Sequence, residues 1–322
     1  EENPRGKRFG LNIAHLQFLL NRFTALQQVT HWCEQASLDR VRSSSGEEEE
    51  RSDDAIELER LRYAELRILA KYWPQLAFML DLLEAIRKEI PVPDGIARLE
   101  ALKEETAADH QAYLWMLLHN TYTGVLNKGM EGALELFELL KMGFAERYVY
   151  PEGKLRASFY KNLMQVAAGC GKVQEGRACV EAYRKDLPKG QEGVYWLCLA
   201  IADFEETKFQ LAHQNIIEVM QSNLFNDLYF GIGARCLEAK INFELGEMED
   251  VRRNLAGLKV FLGNHKSLSA AHKKTYGKRL RYFIRLHTLY EGRRKLATRL
   301  VLDLENDKVD DKAWLISKAV AA

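Results

Sequence analysis

Cysteine and proline are both scarce in this sequence, which has five cysteines and six prolines among 322 residues. The cysteines lie far apart and form no CxxC pair, so they fit neither a disulfide scaffold nor a thiolate metal site. We interpret them as reduced, buried thiols, which predicts a cytoplasmic protein. The low proline content leaves room for long helices.

Long apolar runs and an excess of one charge are also missing. The apolar run from Ala112 to Leu118 ends at His119 and is far too short to span a membrane. Lys and Arg total 46, as do Asp and Glu, so the chain is not basic throughout as many general nucleic-acid binders are. Because 47% of the residues are hydrophobic, the chain can bury a large core and should fold.

Local signatures of catalysis are missing as well. The GCGK stretch from Gly169 to Lys172 is not a phosphate loop, because Val166 and Val173 stand where that loop needs Gly and Ser or Thr. The histidines form no HExxH motif, and no GxSxG motif occurs. We therefore predict a non-catalytic protein with no metal site and no cofactor.

Apolar residues spaced three or four apart predict helices along most of the chain, and no useful alternating strand pattern is present. We predict an N-terminal helix in residues 1–40 and an acidic flexible loop in residues 41–54, which contain six acids and two arginines. Residues 55–110 form either further helical hairpins or a cap. Pro74 should end or kink a helix within this segment.

Repetition is the most informative feature of the remaining sequence. Five segments share a turn followed by a helix, and they align about 36 to 46 residues apart. Each has a further apolar residue four positions after the alignment point. The alignment points are Ala133, Gly176, Ala212, Val251 and Ala297.

The second segment resembles the tetratricopeptide repeat, a helix-turn-helix unit of 34 residues. The signature positions of that family fall here on Tyr160, Leu163, Ala167, Gly171, Gly176, Tyr183 and Pro188. The other segments match less closely, so the resemblance is to a degenerate form covering about Gln111 to Asp307. It implies an all-α fold in residues 111–322, a right-handed α-solenoid of antiparallel helical hairpins followed by a C-terminal helix.

A strongly basic stretch runs from His272 to Lys295, with Glu291 as its one acidic residue. Lysines and arginines spaced four, three and four residues apart predict a cationic stripe along one helix. These residues are Lys274, Lys278, Arg281 and Arg285. A second stripe on the far side should face the core, and it consists of Tyr276, Leu280, Phe283 and His287.

The resemblance also implies which residues line the concave surface, where tetratricopeptide proteins usually bind other proteins. The predicted partner-binding residues are Lys161, Leu197, Ile201, Arg235, Lys278, Arg281 and Arg285. A cationic groove with an apolar floor predicts a partner with an acidic peptide or protein segment. Two alternatives remain open at this point. The basic helix could bind RNA or another nucleic acid, or its cations could be solvated or neutralised by the acidic loop.

Overall fold

The computed structural model describes residues 20–39, 53–127, 131–292 and 297–322. Within these ranges the chain forms helices and no strands, so the all-α prediction is confirmed. Contacts divide the chain into two compact units, Glu1–Tyr148 and Val149–Ala322. Of the predicted acidic loop, residues 41–52 lie outside the described ranges.

The first unit contains six described α-helices. They are α1 (residues 20–39), α2 (Asp53–Leu69), α3 (Pro74–Lys88), α4 (Gly95–Ala101), α5 (Ala108–Asn127) and α6 (Ala133–Ala145). The predicted break at Pro74 is confirmed, because Pro74 is the first residue of α3. Proline is suited to that position, since a helix makes no use of the N–H group there.

Helices α5 and α6 cross where Gly143 faces Trp115. A Cβ atom on Gly143 would lie only 2.4 Å from Cζ2 of the Trp115 ring. The indole Nε1 of Trp115 donates a hydrogen bond to the Leu139 carbonyl over 2.8 Å. A residue without a side chain therefore lets the two backbones approach closely and fixes the position of the buried tryptophan.

The second unit contains nine described α-helices, each packed against its neighbour in the chain. They are α7 (Ala157–Gly169), α8 (Val173–Ala182), α9 (Glu192–Glu205), α10 (Phe209–Gln221), α11 (Leu228–Glu244), α12 (Met248–Asn264), α13 (Ala270–Tyr290), α14 (Ala297–Asn306) and α15 (Lys312–Ala321). Helix α9 contacts both α7 and α8, and α15 contacts both α13 and α14. The result is sequential helix packing along the unit.

The repeat alignment marks packing positions in the middle of this unit. A Cβ atom on Gly176 would lie 2.5 Å from Cβ of Ala167, so α7 and α8 are close at this glycine. Ala212 and Val251, the corresponding residues of the next two segments, are buried. The residues four positions later are also buried, namely Val180, Ile216 and Leu255.

Helix α13 buries one side and exposes the other. Leu280, Phe283 and His287 are buried, as their spacing predicts, and Tyr276 is half-buried. His287 Nε2 lies 3.0 Å from the Met248 carbonyl at the start of α12. None of the helices in the described ranges is long and apolar enough to span a membrane.

Candidate functional site

The second unit contains a cavity of about 270 Å³. Its lining comes from helices α7, α9, α11 and α13 and from the residue that precedes α15. Three helices each contribute a pair of residues four positions apart, which places each pair on a single helix face. The pairs are Lys161 and Gln165, Leu197 and Ile201, and Gly233 and Leu237.

Apolar side chains form part of the cavity wall. Leu197 and Leu237 are buried, and Ile201 is half-buried. Gly233 has no atom within 4 Å of the position that a Cβ would occupy, so it contributes open space between these side chains. The wall can therefore receive an aliphatic group of a ligand.

Lys161 lies on the part of the lining formed by α7. Its Nζ lies 5.1 Å from the centroid of the Phe230 ring, and it has no hydrogen bond or ion pair with another described residue. Burial lowers the pKa of Lys161, and the charge of Asp227 offsets this only in part. An anion bound beside the ammonium group would replace the hydration that it has lost.

The other two cations of the lining, Lys240 and Arg279, share one carboxylate. Lys240 Nζ lies 3.0 Å from Asp311 Oδ1, and Arg279 Nη2 donates to Asp311 Oδ2. The Lys240 ammonium group also lies 4.4 Å from the centroid of the Phe204 ring. Burial alone would raise the pKa of Asp311, but the charges of Arg279 and Lys240 outweigh it and lower the pKa. Asp311 therefore binds both cations as a carboxylate.

Two further groups influence the charge of the cavity. Glu205 lines it, and burial raises the pKa of this carboxyl, with a partial offset from Lys240. Arg279 Nε is buried and has no hydrogen-bond partner among the residues that the structure describes. The lining thus includes three cationic side chains and two carboxylates, which leaves it with an excess of positive charge.

The cavity brings together three of the predicted partner-binding residues, namely Lys161, Leu197 and Ile201. Arg235 does not line it. The guanidinium carbon of Arg235 lies 3.7 Å from the Phe225 ring centroid and 3.9 Å from that of Phe261. Its Nη1 donates to the Phe225 carbonyl over 2.6 Å. The Arg235 guanidinium group therefore packs between two aromatic rings and joins α11 to the segment that precedes it.

The predicted residues of α13 lie outside the cavity lining as well. Lys278 Nζ lies 2.9 Å from Asp307 Oδ1, and Arg285 Nη2 lies 2.7 Å from Asp303 Oδ2. Arg281 is exposed and forms no hydrogen bond or ion pair with another described residue. Helix α13 contributes Arg279 to the cavity instead.

The difference arises from the register of the helices. The residues of α11 that line the cavity are Gly233, Leu237 and Lys240, and Arg235 lies between Gly233 and Leu237 in sequence but on another face of the helix. Helical periodicity could have identified Gln165 and Glu205, because each lies four residues after a predicted site residue. No local pattern identifies Asp311, which follows the last repeat segment.

No group of three or more His, Cys, Asp or Glu side chains within the described ranges is arranged to bind a metal ion. No protein-family model matches this sequence, and neither a curated protein nor a solved structure matches it significantly.

Proposed function

We propose that the second unit is a right-handed α-solenoid of tetratricopeptide-like hairpins that acts as a non-catalytic interaction scaffold. Its cavity binds an acidic peptide or protein segment. The observation that carries this proposal is the position of Lys161, which lies on the same cavity lining as Leu197 and Ile201 and forms no ion pair with another described residue. Sequential packing of α7 to α14 supports the hairpin assignment.

The charges of the lining favour a carboxylate as the anchoring group. Asp311 already forms ion pairs with Lys240 and Arg279, so Lys161 is the lining cation that forms no ion pair with a described residue. A Glu or Asp side chain would place its carboxylate beside Lys161 and its methylene groups against Ile201 and Leu237. Because the ammonium group is partly desolvated, the attraction should be stronger than at an exposed lysine.

The surroundings of the ionisable groups support a binding function rather than catalysis. Asp311 is held as a carboxylate by two cations, and Lys240 lies against the Phe204 ring. No His, Cys or Ser is among the side chains that line this cavity. A serine or cysteine nucleophile paired with a histidine base is therefore missing from the lining.

The test uses the full chain and a displayed library of random peptides. Peptides selected by the wild-type protein should be enriched in Asp and Glu. The affinity of a selected peptide should fall about tenfold in the Lys161→Gln variant, since one partly buried ion pair is lost. The same peptide with its acids changed to amides should show a similar loss with the wild-type protein.

Arg281→Gln provides a matched control, because it removes one exposed cation outside the cavity lining. It should leave the affinity within about twofold of the wild-type value. Selected peptides without acidic enrichment, or equal losses in both variants, would contradict the proposal. An Ile201→Asp variant gives a second test, since a carboxylate on the apolar wall should repel the peptide.

A further inference from the structure

The chain contains no Asp or Glu from Val251 to Tyr290, although Lys and Arg are frequent there. The structure divides these cations into two groups. Those of the first group form ion pairs within the protein: Arg252, Arg253, Lys278, Arg279 and Arg285. Those of the second group are exposed and form no ion pair with a described residue: Lys259, Lys266, Lys273, Lys274 and Arg281.

Three cations of the second group are close in the chain. Lys266 lies in the connection from α12 to α13, and Lys273 and Lys274 lie near the start of α13. No acidic residue occurs in the first turn of α13, where a carboxylate would favour the helix dipole. Positive charges at this end oppose the dipole and repel one another, so helix stability does not explain them.

Aromatic rings lie at the same end of α13 as Lys273 and Lys274. Tyr229, at the start of α11, is 49% exposed. Its ring makes an edge contact with His272, with centroids 5.7 Å apart. The His272 ring in turn stacks on Tyr276 at 6.1 Å with an interplanar angle of 17°. An exposed tyrosine is therefore supported by two further rings at the same end of the unit.

We propose that this surface, formed by Tyr229, Lys266, His272, Lys273 and Lys274, binds single-stranded nucleic acid. The three lysines contact the phosphates, and the Tyr229 ring stacks on a base. Proteins that bind single strands combine cations that follow the backbone with rings that stack on bases. An acidic peptide would use the lysines but would present no planar base to the tyrosine. For this reason the combination favours a nucleic acid.

Two carboxylates lie near this surface, and one of them, Asp227, accepts hydrogen bonds from the Tyr229 and Phe230 N–H groups at the start of α11. Asp310 is close enough to Tyr276 to contribute to its raised pKa, whose main cause is burial. Asp310 also lies 3.8 Å from Arg279, so part of its charge is neutralised. The surface is separate from the cavity, because none of its residues is part of the cavity lining. This inference therefore does not depend on the proposed peptide binding.

The test measures fluorescence anisotropy of a labelled oligouridine of about 16 nucleotides with the full chain. Wild-type protein should bind, and its affinity should fall steeply as salt rises from about 50 to 200 mM. The Lys273→Glu, Lys274→Glu double variant should bind at least about tenfold more weakly, with a shallower salt dependence. Tyr229→Ala should weaken binding about tenfold without changing the salt dependence.

The matched control is the Lys185→Glu, Lys189→Glu double variant. It changes the net charge equally, and both lysines are exposed in the connection between α8 and α9. Its affinity should remain within about twofold of the wild-type value.

Three outcomes would overturn the proposal. Wild-type protein could fail to bind the oligouridine at low salt, or the control could lose as much affinity as the Lys273 and Lys274 variant. The third outcome is that polyglutamate competes as well as RNA and Tyr229→Ala has no effect, which would identify a surface for acidic proteins. Circular dichroism of each variant checks that a loss of binding is not a loss of fold.

Discussion

Lys278 on α13 forms an ion pair with Asp307, which follows α14, and the two charged atoms are 2.9 Å apart. The Tyr282 hydroxyl donates to the other carboxylate oxygen of Asp307 over 2.5 Å. One turn earlier, Asp303 pairs with Arg285. Asp303 and Asp307 lie four residues apart, so they form one acidic stripe that meets the basic stripe of α13. Much of the cationic side of α13 is therefore neutralised within the protein.

Charge reversal at Arg285 should affect stability rather than peptide binding. Arg285→Glu places a carboxylate next to Asp303, so we expect a loss of about 1 kcal/mol in the free energy of unfolding. The loss should be small because both side chains are about 40% exposed. Urea unfolding measures it, with Arg281→Glu as the control that changes stability less. A drop in peptide affinity without a drop in stability would contradict this interpretation.

The Asp311→Asn variant should be considerably less stable. It removes the carboxylate that binds Lys240 and Arg279, whose side chains are only 9% and 15% exposed. Removing one partner of a buried pair costs about 3 kcal/mol, because the other charge loses its compensation. Asn tolerates the positive φ of 60° at this position, so the variant tests the charge and not the backbone.

The stability difference between wild type and Asp311→Asn should depend on pH. The pKa of Asp311 is lowered from 3.8 in the folded protein, so its contribution to stability is present above that value. It is lost as the pH falls through the lower folded pKa. The difference in unfolding free energy between wild type and Asp311→Asn should therefore be constant near neutral pH and shrink in the acid range below 3.8. If the difference in unfolding free energy stayed constant into that acid range, the result would argue against the ion pair.

Two glycine substitutions should have opposite effects. Gly176→Ala would place a methyl group 2.5 Å from the Ala167 side chain, so it should destabilise the protein by about 1 to 3 kcal/mol. Gly257 lies within α12 with no atom within 4 Å of its Cβ position. Gly257→Ala should therefore stabilise the helix by about 0.5 to 1 kcal/mol. Thermal unfolding of both variants compares them, and a stable Gly176→Ala protein would contradict close packing of α7 and α8.

The five thiols should react at two different rates. Cys33, Cys198 and Cys236 are buried, and burial raises the pKa of each thiol, for Cys33 to about 12. Cys170 and Cys179 are only half-buried. Because the thiolate is the reactive species, a colorimetric thiol reagent at neutral pH should modify Cys170 and Cys179 first. The remaining three should react only after unfolding in urea. Rapid reaction of all five in the native protein would show that the reagent reaches the three thiols described as buried.

The helical character of the chain and its packing positions could be predicted from the sequence because they depend on local periodicity. The apolar residues of α13 recur at the spacing of one helix face, and Leu280 and Phe283 are buried accordingly. Pro74 interrupts a helical pattern and begins a new helix for reasons of backbone geometry. The crossing at Gly176 could also be predicted, since the repeat pattern requires a small side chain there.

Local periodicity gives the face of a helix but not the register between helices. Lys161, Leu197 and Ile201 line the cavity, and Lys161 and Leu197 each lie 15 residues before the aligned residue of their segment, Gly176 and Ala212. In α11 the residues that face the cavity include Gly233 and Leu237, and Arg235 lies on another face, between the Phe225 and Phe261 rings.

The acids that neutralise α13 come from outside the basic sequence. Asp303, Asp307 and Asp311 follow it in the chain and have no local relationship to it. The sequence alone determined where the positive charge of this protein lies along the chain. Only the tertiary structure decided which cations are paired, because an ion pair depends on the distance between side chains from separate helices.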